Sequence, residues 1–282
     1  MTNKTIPVII PFYKKEKELK ACLAALAQQE GVATEIFVRD NTNDNILYTR
    51  AVNEGLRKYA YDSQTEYILV LTQDAYLHKN ALAELVKCLD THPSAGIAAP
   101  IQVNPTGEIA WAGSLDAYPW GVHNGHLRHP TVPYTTFWAT GTCLLLRASM
   151  VREIGLLDES MLFICSDCDY SFTARSRGFE VYVVPKAICQ HYLKASAGET
   201  SPAIEAVKFA DQLCFSAKWL EGRTYRHLAR EGATLTPERV AQETKNTLDA
   251  LNSVKAPLQS WTQSGIVHKA LSLFKKELSD TP

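Results

Sequence analysis

Neither G-x-G-x-x-G nor G-x-x-x-x-G-K-S/T occurs anywhere in these 282 residues. Dinucleotide-binding dehydrogenases and P-loop NTPases, which cradle phosphates on glycine nests, are therefore disfavoured. Long apolar runs are missing as well. None approaches the ~18 residues of a membrane span, and the opening MTNKTIPVII lacks the zones of a signal peptide. The expected location is the cytoplasm, where the seven cysteines stay reduced. An excess of charge is absent too: the net charge of −1 argues against a broad nucleic-acid-binding surface. A zinc cluster is only half spelled. Cys165 and Cys168 form C-x-x-C, but Cys189 and His191 are too tightly spaced for the usual second pair. The cysteines read better as small buried apolar side chains.

What is present is alternation. Ile6 to Ile10 is a short β-branched run that stops at Pro11-Phe12-Tyr13, after which Leu19, Leu23 and Leu26 recur at helical spacing. Glu35 to Val38 is a second strand, running into the polar loop Arg39 to Asp44, and Thr49 to Tyr59 is the next helix. Tyr67 to Leu71 is a third strand ending at Thr72-Gln73-Asp74; Leu82, Leu85, Val86 and Leu89 mark a helix, and Ala95 to Ala99 a fourth strand. This predicts an α/β fold with a mostly parallel sheet flanked by helices. Such sheets bind ligands beyond the carboxyl ends of their strands, which puts Pro11, Tyr13, Asp40 and Asp74 along one rim. Without a glycine nest, a nucleotide there must be held by carboxylates and a divalent ion, Mg²⁺ or Mn²⁺. Taken singly, Asp40 also reads as an Asx turn, and Asp74 as a turn residue or a cap for the following helix.

The most informative stretch runs from Asp158 to His191, DESMLFICSDCDYSFTARSRGFEVYVVPKAICQH. Asp167 and Asp169 stand at a helix entry, Arg175 and Arg177 near its end, and Gly178 stops it. A strand over Val181 to Val184 follows, closed by Pro185 and leading to His191. Carboxylates, cations and histidine converging on one pocket suit a diphosphate-bearing substrate. Ser166 with Asp169 also fits a capping box, which only starts a helix. Upstream, residues 101 to 136 read as loops and short strands in which Trp111, Trp120, His123, His126 and His129 either face a sugar or pack beneath a loop. Phe137 to Arg147 reads as a strand interrupted by Gly141, a mark of close approach by a ligand or another backbone.

Together these residues resemble a family-2 inverting glycosyltransferase of GT-A fold, over Ile6 to about His191. The family's G-A-x-x-L-x-R-R strand is matched by Gly141 with Leu144 to Arg147. Its D-E-x-F-F-x-x-x-E-D-x-D-L is matched by Asp158-Glu159 and by Asp167 with Asp169-Tyr170. Arg175 with Gly178-Phe179 fits R-x-x-G-[YF], and Val181, Val184-Pro185, Ala187 and His191 fit V-x-x-V-P-x-A-x-x-x-H. Asp40 to Asp44 and Thr72-Gln73-Asp74 are similar to the front-half motifs, and T-Q-D-A resembles the rhamnosyltransferase branch.

The resemblance implies a catalytic domain over 1–195, with a nucleotide-sugar half (1–100) and an acceptor half (101–195). It implies transfer of one hexosyl unit, rhamnosyl in that branch, from a UDP- or dTDP-sugar to a glycan or lipid-linked acceptor in bacterial surface-polysaccharide assembly. Pro11, Tyr13 and Asp40 then line the nucleotide pocket, Asp74 and His191 coordinate Mn²⁺ or Mg²⁺, and Asp167 is the general base. Asp169, Trp138 and Gly141 lie on the acceptor side. Two positions depart from the pattern: Ser166 stands where an acidic residue precedes the base, and Thr72 where the metal motif begins. They keep open a non-catalytic sugar-nucleotide-binding or scaffold subunit. Q-x-x-R-W is absent, which favours single transfer over processive synthesis.

Beyond Tyr192 the pattern becomes helical, a C-terminal extension over 196–282. Ser201-Pro202 opens a helix striped by Ile204, Val207, Leu213, Phe215 and Trp219. Thr236-Pro237 opens another, and Ser260 to Leu278 a third that packs on the catalytic domain, on a second subunit of a homo-oligomer, or on a membrane surface.

Overall fold

The computed structural model describes residues 5–115, 122–123 and 130–192, together with the helical positions Ile204, Val207, Lys208, Asp211, Cys214, Phe215, Lys218 and Trp219. Trp120, His126, His129 and the helices expected after Thr236 lie outside the described residues.

The chain runs β1 (Thr5–Phe12), α1 (Glu16–Ala27), β2 (Ala33–Asp40), α2 (Leu47–Tyr59), β3 (Tyr67–Leu71), β4 (Ala75–Leu77), α3 (Ala81–Thr91) and β5 (Ala95–Val103). It continues with the short strands β6 (Ile109–Trp111), β7 (Ser114–Leu115), β8 (Val122–His123) and β9 (Tyr134–Thr136). Then come β10 (Cys143–Arg147), α4 (Ala148–Ile154), α5 (Ser166–Ser176) and β11 (Glu180–His191). The main sheet has the order β2-β1-β3-β10-β5-β11-β4, with β6 beside β5 and β9 beside β11. Strands β2, β1, β3, β5 and β11 share one direction while β10 and β4 run against them, so the sheet is mostly parallel, as the alternation predicts. Strands β7 and β8 form a separate ribbon.

Side chains of the central strands alternate between two cores. Ile6, Val8, Ile10, Leu69 and Leu71 pack with Cys22, Leu26, Leu82, Leu85 and Leu89 on the α1/α3 face. Ile9, Ile68 and Val70 pack with Val52, Leu56, Met150 and Tyr170 on the α2/α4/α5 face. Burial on both faces explains why these strands read as unbroken apolar runs. At Gly55 a Cβ would lie 2.6 Å from the Ile9 side chain. This close approach seats α2 tightly on the sheet and fixes its first turn beside the strand ends. Among the described residues no helix is long and apolar enough to cross a membrane.

Three expectations need correction. Residues 137–142 are not a strand, and only Cys143–Arg147 pairs. Here Ala139 N–H donates to Ser171 Oγ and Gly141 N–H to Asp167 Oδ2, so the backbone is satisfied by side chains rather than by a ladder. Pro185 does not close the last strand: β11 continues to His191, absorbing the missing N–H in a register shift between Val184 and Ile188. Ser166 and Asp169 form no capping box. The N-cap of α5 is Cys165, left-handed at φ 66° and without a side-chain cap.

Candidate active site

The carboxyl ends of β1, β2 and β3 lie side by side, as parallel pairing requires. Pro11 pairs with Arg39 and Phe12 with Asp40, so the turns after β1 and β2 share one rim. The following loop is held from β3's end. Gln73, buried, accepts from Tyr13 N–H (2.7 Å) through Oε1 and donates to Tyr13 O (3.1 Å) through Nε2. Asp40 is exposed and does form the Asx turn, accepting from Thr42 N–H at 2.8 Å. The Thr42 side chain first, and then this N–H, hold its carboxyl below the usual range. Arg39 braces the loop, pairing with Asp44 at 2.6 Å and Glu54 at 2.9 Å.

Asp74 and His191 meet although they are 117 positions apart in the chain, because β4 pairs with β11 and aligns Ala75 with His191. His191 Nε2 stands 3.6 Å from Asp74 Oδ2, both side chains being largely buried. Burial pushes the Asp74 carboxyl up, but the adjacent imidazole, together with Thr72 and a backbone hydrogen bond, outweighs it and leaves the carboxyl below the ordinary value. Two ligands each about 2.1 Å from one ion stand about 3 to 4 Å apart, so this pair fits a shared divalent cation. His191 Nδ1, the ring nitrogen away from Asp74, is buried without a hydrogen-bond partner in the described structure. Among the described residues no set of three or more His, Cys, Asp and Glu side chains is arranged around a metal. Two protein ligands leave the remaining positions to phosphate oxygens and water, which is how Mg²⁺ is usually held.

Asp167 sits one position into α5, half-buried. Its Oδ2 accepts from Gly141 N–H at 2.7 Å and its Oδ1 from Cys168 N–H at 2.8 Å. Tyr48, from the first turn of α2, donates to Gly141 O at 2.8 Å. Burial, then the nearby Asp167 charge, raises the Tyr48 hydroxyl well above its ordinary pKa, so it remains a donor. Next to Gly141, Thr142 O accepts from Thr72 N–H at 2.9 Å. Gly141-Thr142 thereby bridges Asp167 to the strand end bearing Asp74.

Other expected residues are placed differently. Asp169 is 1% exposed and accepts from Trp219 Nε1 (2.7 Å) while pairing with Lys218 (2.8 Å). Trp138 is buried with Met161, Phe172, Phe215 and Trp219. Trp111 takes the packing alternative, buried and donating to Ser114 Oγ at 3.1 Å. Ser166, the departure before the base, is buried and accepts from Thr49 Oγ1 at 2.8 Å. It therefore serves local packing. Arg175 lies over the Phe137 ring (4.7 Å) and Arg177 is exposed. At 1.5 Å per residue they lie about 12 and 15 Å along the helix from Asp167, so the expected convergence of cations with the carboxylate does not occur. All seven cysteines are free; Cys189 belongs to one core cluster and Cys168 to another. Sequence reasoning missed Gln73, Tyr48 and Asp211. Only Gln73 left a trace, as the middle residue of the T-Q-D motif.

This architecture is the GT-A fold. The structure is similar to GalNAc-T7 crystallised with UDP, GalNAc and Mn²⁺ (TM-score 0.60, 14% identity, 88% of this chain and 55% of that one). It is also similar to S. aureus TarS 1-349 in complex with UDP (TM-score 0.53, 15% identity, 94% of this chain and 80% of that one). Residues 48–208 match the family model "Glycosyltransferase like family 2", and the chain belongs to that family. A curated relative is the low-salt glycan biosynthesis hexosyltransferase Agl10 of Haloferax volcanii, 24% identical over 207 residues. That match takes in 62% of this chain and 63% of the relative, so the chain spans under two thirds of the relative's length.

Proposed function

We propose that the chain is a metal-dependent, inverting hexosyltransferase that moves one sugar from a nucleoside-diphosphate sugar to a hydroxyl acceptor in surface-glycan assembly. The observation that carries this reading is the joining of Asp74–His191 to Asp167 through Gly141-Thr142 at one rim of the sheet. UDP in the GalNAc-T7 and TarS structures supports a uridine donor, and the Mn²⁺ in GalNAc-T7 supports the cation.

Asp74 and His191 would hold the ion, which when bound neutralises charge on the departing diphosphate. Asp167 takes the proton from the acceptor hydroxyl as its oxygen attacks the anomeric carbon from the face opposite the diphosphate. The donor C–O bond breaks as the new one forms, so configuration inverts without a covalent intermediate. The N–H bonds from Gly141 and Cys168 hold the Asp167 carboxyl aimed before the acceptor arrives.

A thermal-shift screen of UDP, dTDP, GDP and their sugars, with and without Mn²⁺, tests the donor half; Mn²⁺-dependent stabilisation by one nucleoside diphosphate is expected. Asp167→Asn should abolish nucleoside-diphosphate release while sparing nucleotide binding. Undiminished turnover would remove Asp167 as the base.

A further inference from the structure

Asp211 lies beyond the sheet, on the helical residues that follow it, and is 1% exposed. Its Oδ1 accepts from Leu162 N–H at 2.8 Å, and its Oδ2 from Phe163 N–H at 2.7 Å and Ile164 N–H at 2.8 Å. Three successive backbone donors on one carboxylate form an anion-binding concavity whose geometry tolerates little movement. The same segment is pinned from the opposite side by α2: Thr49 N–H donates to Leu162 O (3.0 Å) and Thr49 Oγ1 to Ser166 Oγ (2.8 Å). Between the two anchors, left-handed Cys165 (φ 66°) turns the chain into α5, and Asp167 follows two residues later. Asp167 and Asp211 flank that turn. The Cys165 thiol is pushed up by burial first and then by both carboxylates.

Docking this helical face does not rest on the buried carboxyl alone. Cys214, Phe215 and Trp219 also pack with Trp138, Met161 and Phe172, and Lys218 pairs with Asp158 and Asp169, so Asp211 is one of several contacts that seat it. A carboxyl group removed from water is costly unless its hydrogen bonds are met, and Asp211 meets its own on the segment leading into α5.

We propose that Asp211 is a positioning residue for transfer: it clamps the backbone of residues 162–164 and so sets where Asp167 projects. This rests on Asp167 being the base. Asp211 touches neither donor nor acceptor; it acts through the strand of chain between the clamp and α5.

The test compares wild type, Asp211→Asn, Asp211→Glu and Asp167→Asn in the full chain. Asparagine keeps the size of the side chain but turns an NH₂ toward N–H donors, whereas glutamate keeps the charge. The measurements are hydrogen–deuterium exchange over residues 160–170, UDP affinity with Mn²⁺, and kcat and KM for nucleoside-diphosphate release from UDP-glucose, UDP-N-acetylglucosamine and dTDP-rhamnose. For Asp211→Asn, amides 162–168 should exchange about tenfold faster or more, with those of β1 and β3 unchanged. UDP affinity should hold within about twofold, because Asp74 and His191 belong to other elements, while kcat falls about tenfold to a hundredfold with little change in KM. Asp211→Glu should recover part of that loss. Unchanged kcat in Asp211→Asn, or unchanged exchange at 162–168, overturns the proposal. So does uniformly fast exchange with loss of UDP binding, which would assign Asp211 to folding alone. If Asp167→Asn turns over normally, or wild type releases nothing from these donors, the base reading fails and the positioning role with it. If Asp167→Asn is inactive while Asp211→Asn matches wild type, the positioning role alone is wrong.

Discussion

Gly141 carries no side chain because Tyr48 occupies the space: a Cβ there would lie 2.5 Å from the Tyr48 hydroxyl and 2.9 Å from its Cζ. The glycine was readable in the sequence as a close approach, but the partner is a side chain from α2 and not a ligand or a backbone. Gly141→Ala must push Tyr48 aside, breaking the 2.8 Å bond to Gly141 O and shifting the N–H that holds Asp167. Overpacking of this kind costs about 1–3 kcal/mol in thermal or urea unfolding. If Asp167 is the base as proposed, nucleoside-diphosphate release should fall further than stability does, since the displaced group orients it. Equal turnover in a folded Gly141→Ala protein would show that the Gly141–Asp167 contact is dispensable. Residue types drew attention to Asp74, Asp167 and His191 as candidates. They could not announce Asp211, a lone aspartate in a helical pattern whose partners are backbone amides 47 to 49 positions away.

At the scale of elements, the strands buried on both faces were the easiest to read, and β1 and β3 fall where their apolar runs predict. Strand β4 went unread because three residues between a turn and a helix carry no periodicity; its existence depends on pairing with β11. That pairing brings His191 to Asp74. Residues 137–142 failed in the opposite sense, with a strand-like composition whose N–H groups found side-chain acceptors instead. The turn after β1 is likewise shaped from elsewhere, by Gln73 at the end of β3. Gln73→Leu removes both bonds to Tyr13 and should leave the sheet intact while loosening that turn. At about 1 kcal/mol per hydrogen bond, the UDP dissociation constant should rise roughly five- to thirtyfold by calorimetry. An unaltered constant would mean that Tyr13 does not line the nucleotide site.

For the molecule as a whole, pH dependence reports how the helical residues after the sheet are joined to it. Burial raises the Asp211 carboxyl, the three N–H bonds pull it back, and the balance stands at about 7. The folded state therefore binds a proton that the unfolded chain, with an ordinary carboxyl near ~3.9, releases earlier. The resulting stability is fully present below the unfolded value and is lost as pH rises through about 7. Urea midpoints of wild type minus Asp211→Asn should accordingly decline between about pH 4 and pH 7 and level off above. A flat difference would mean that Asp211 is ionised throughout.

The family's motifs, the alternation of strands and helices and the candidacy of Asp74, Asp167 and His191 follow from the sequence alone, because apolar period and residue chemistry are local properties. Which of those groups meet was decided by tertiary structure. Asp169 and Trp138 were expected on the acceptor side with Asp167, yet are drawn to a core completed by Phe215 and Trp219. Asp74 and His191, far apart in sequence, are brought within 3.6 Å by one antiparallel pairing. The reason is physical: a hydrogen-bond ladder and a buried contact depend on which segments lie alongside each other in three dimensions, and no stretch of the chain encodes its distant partner by itself.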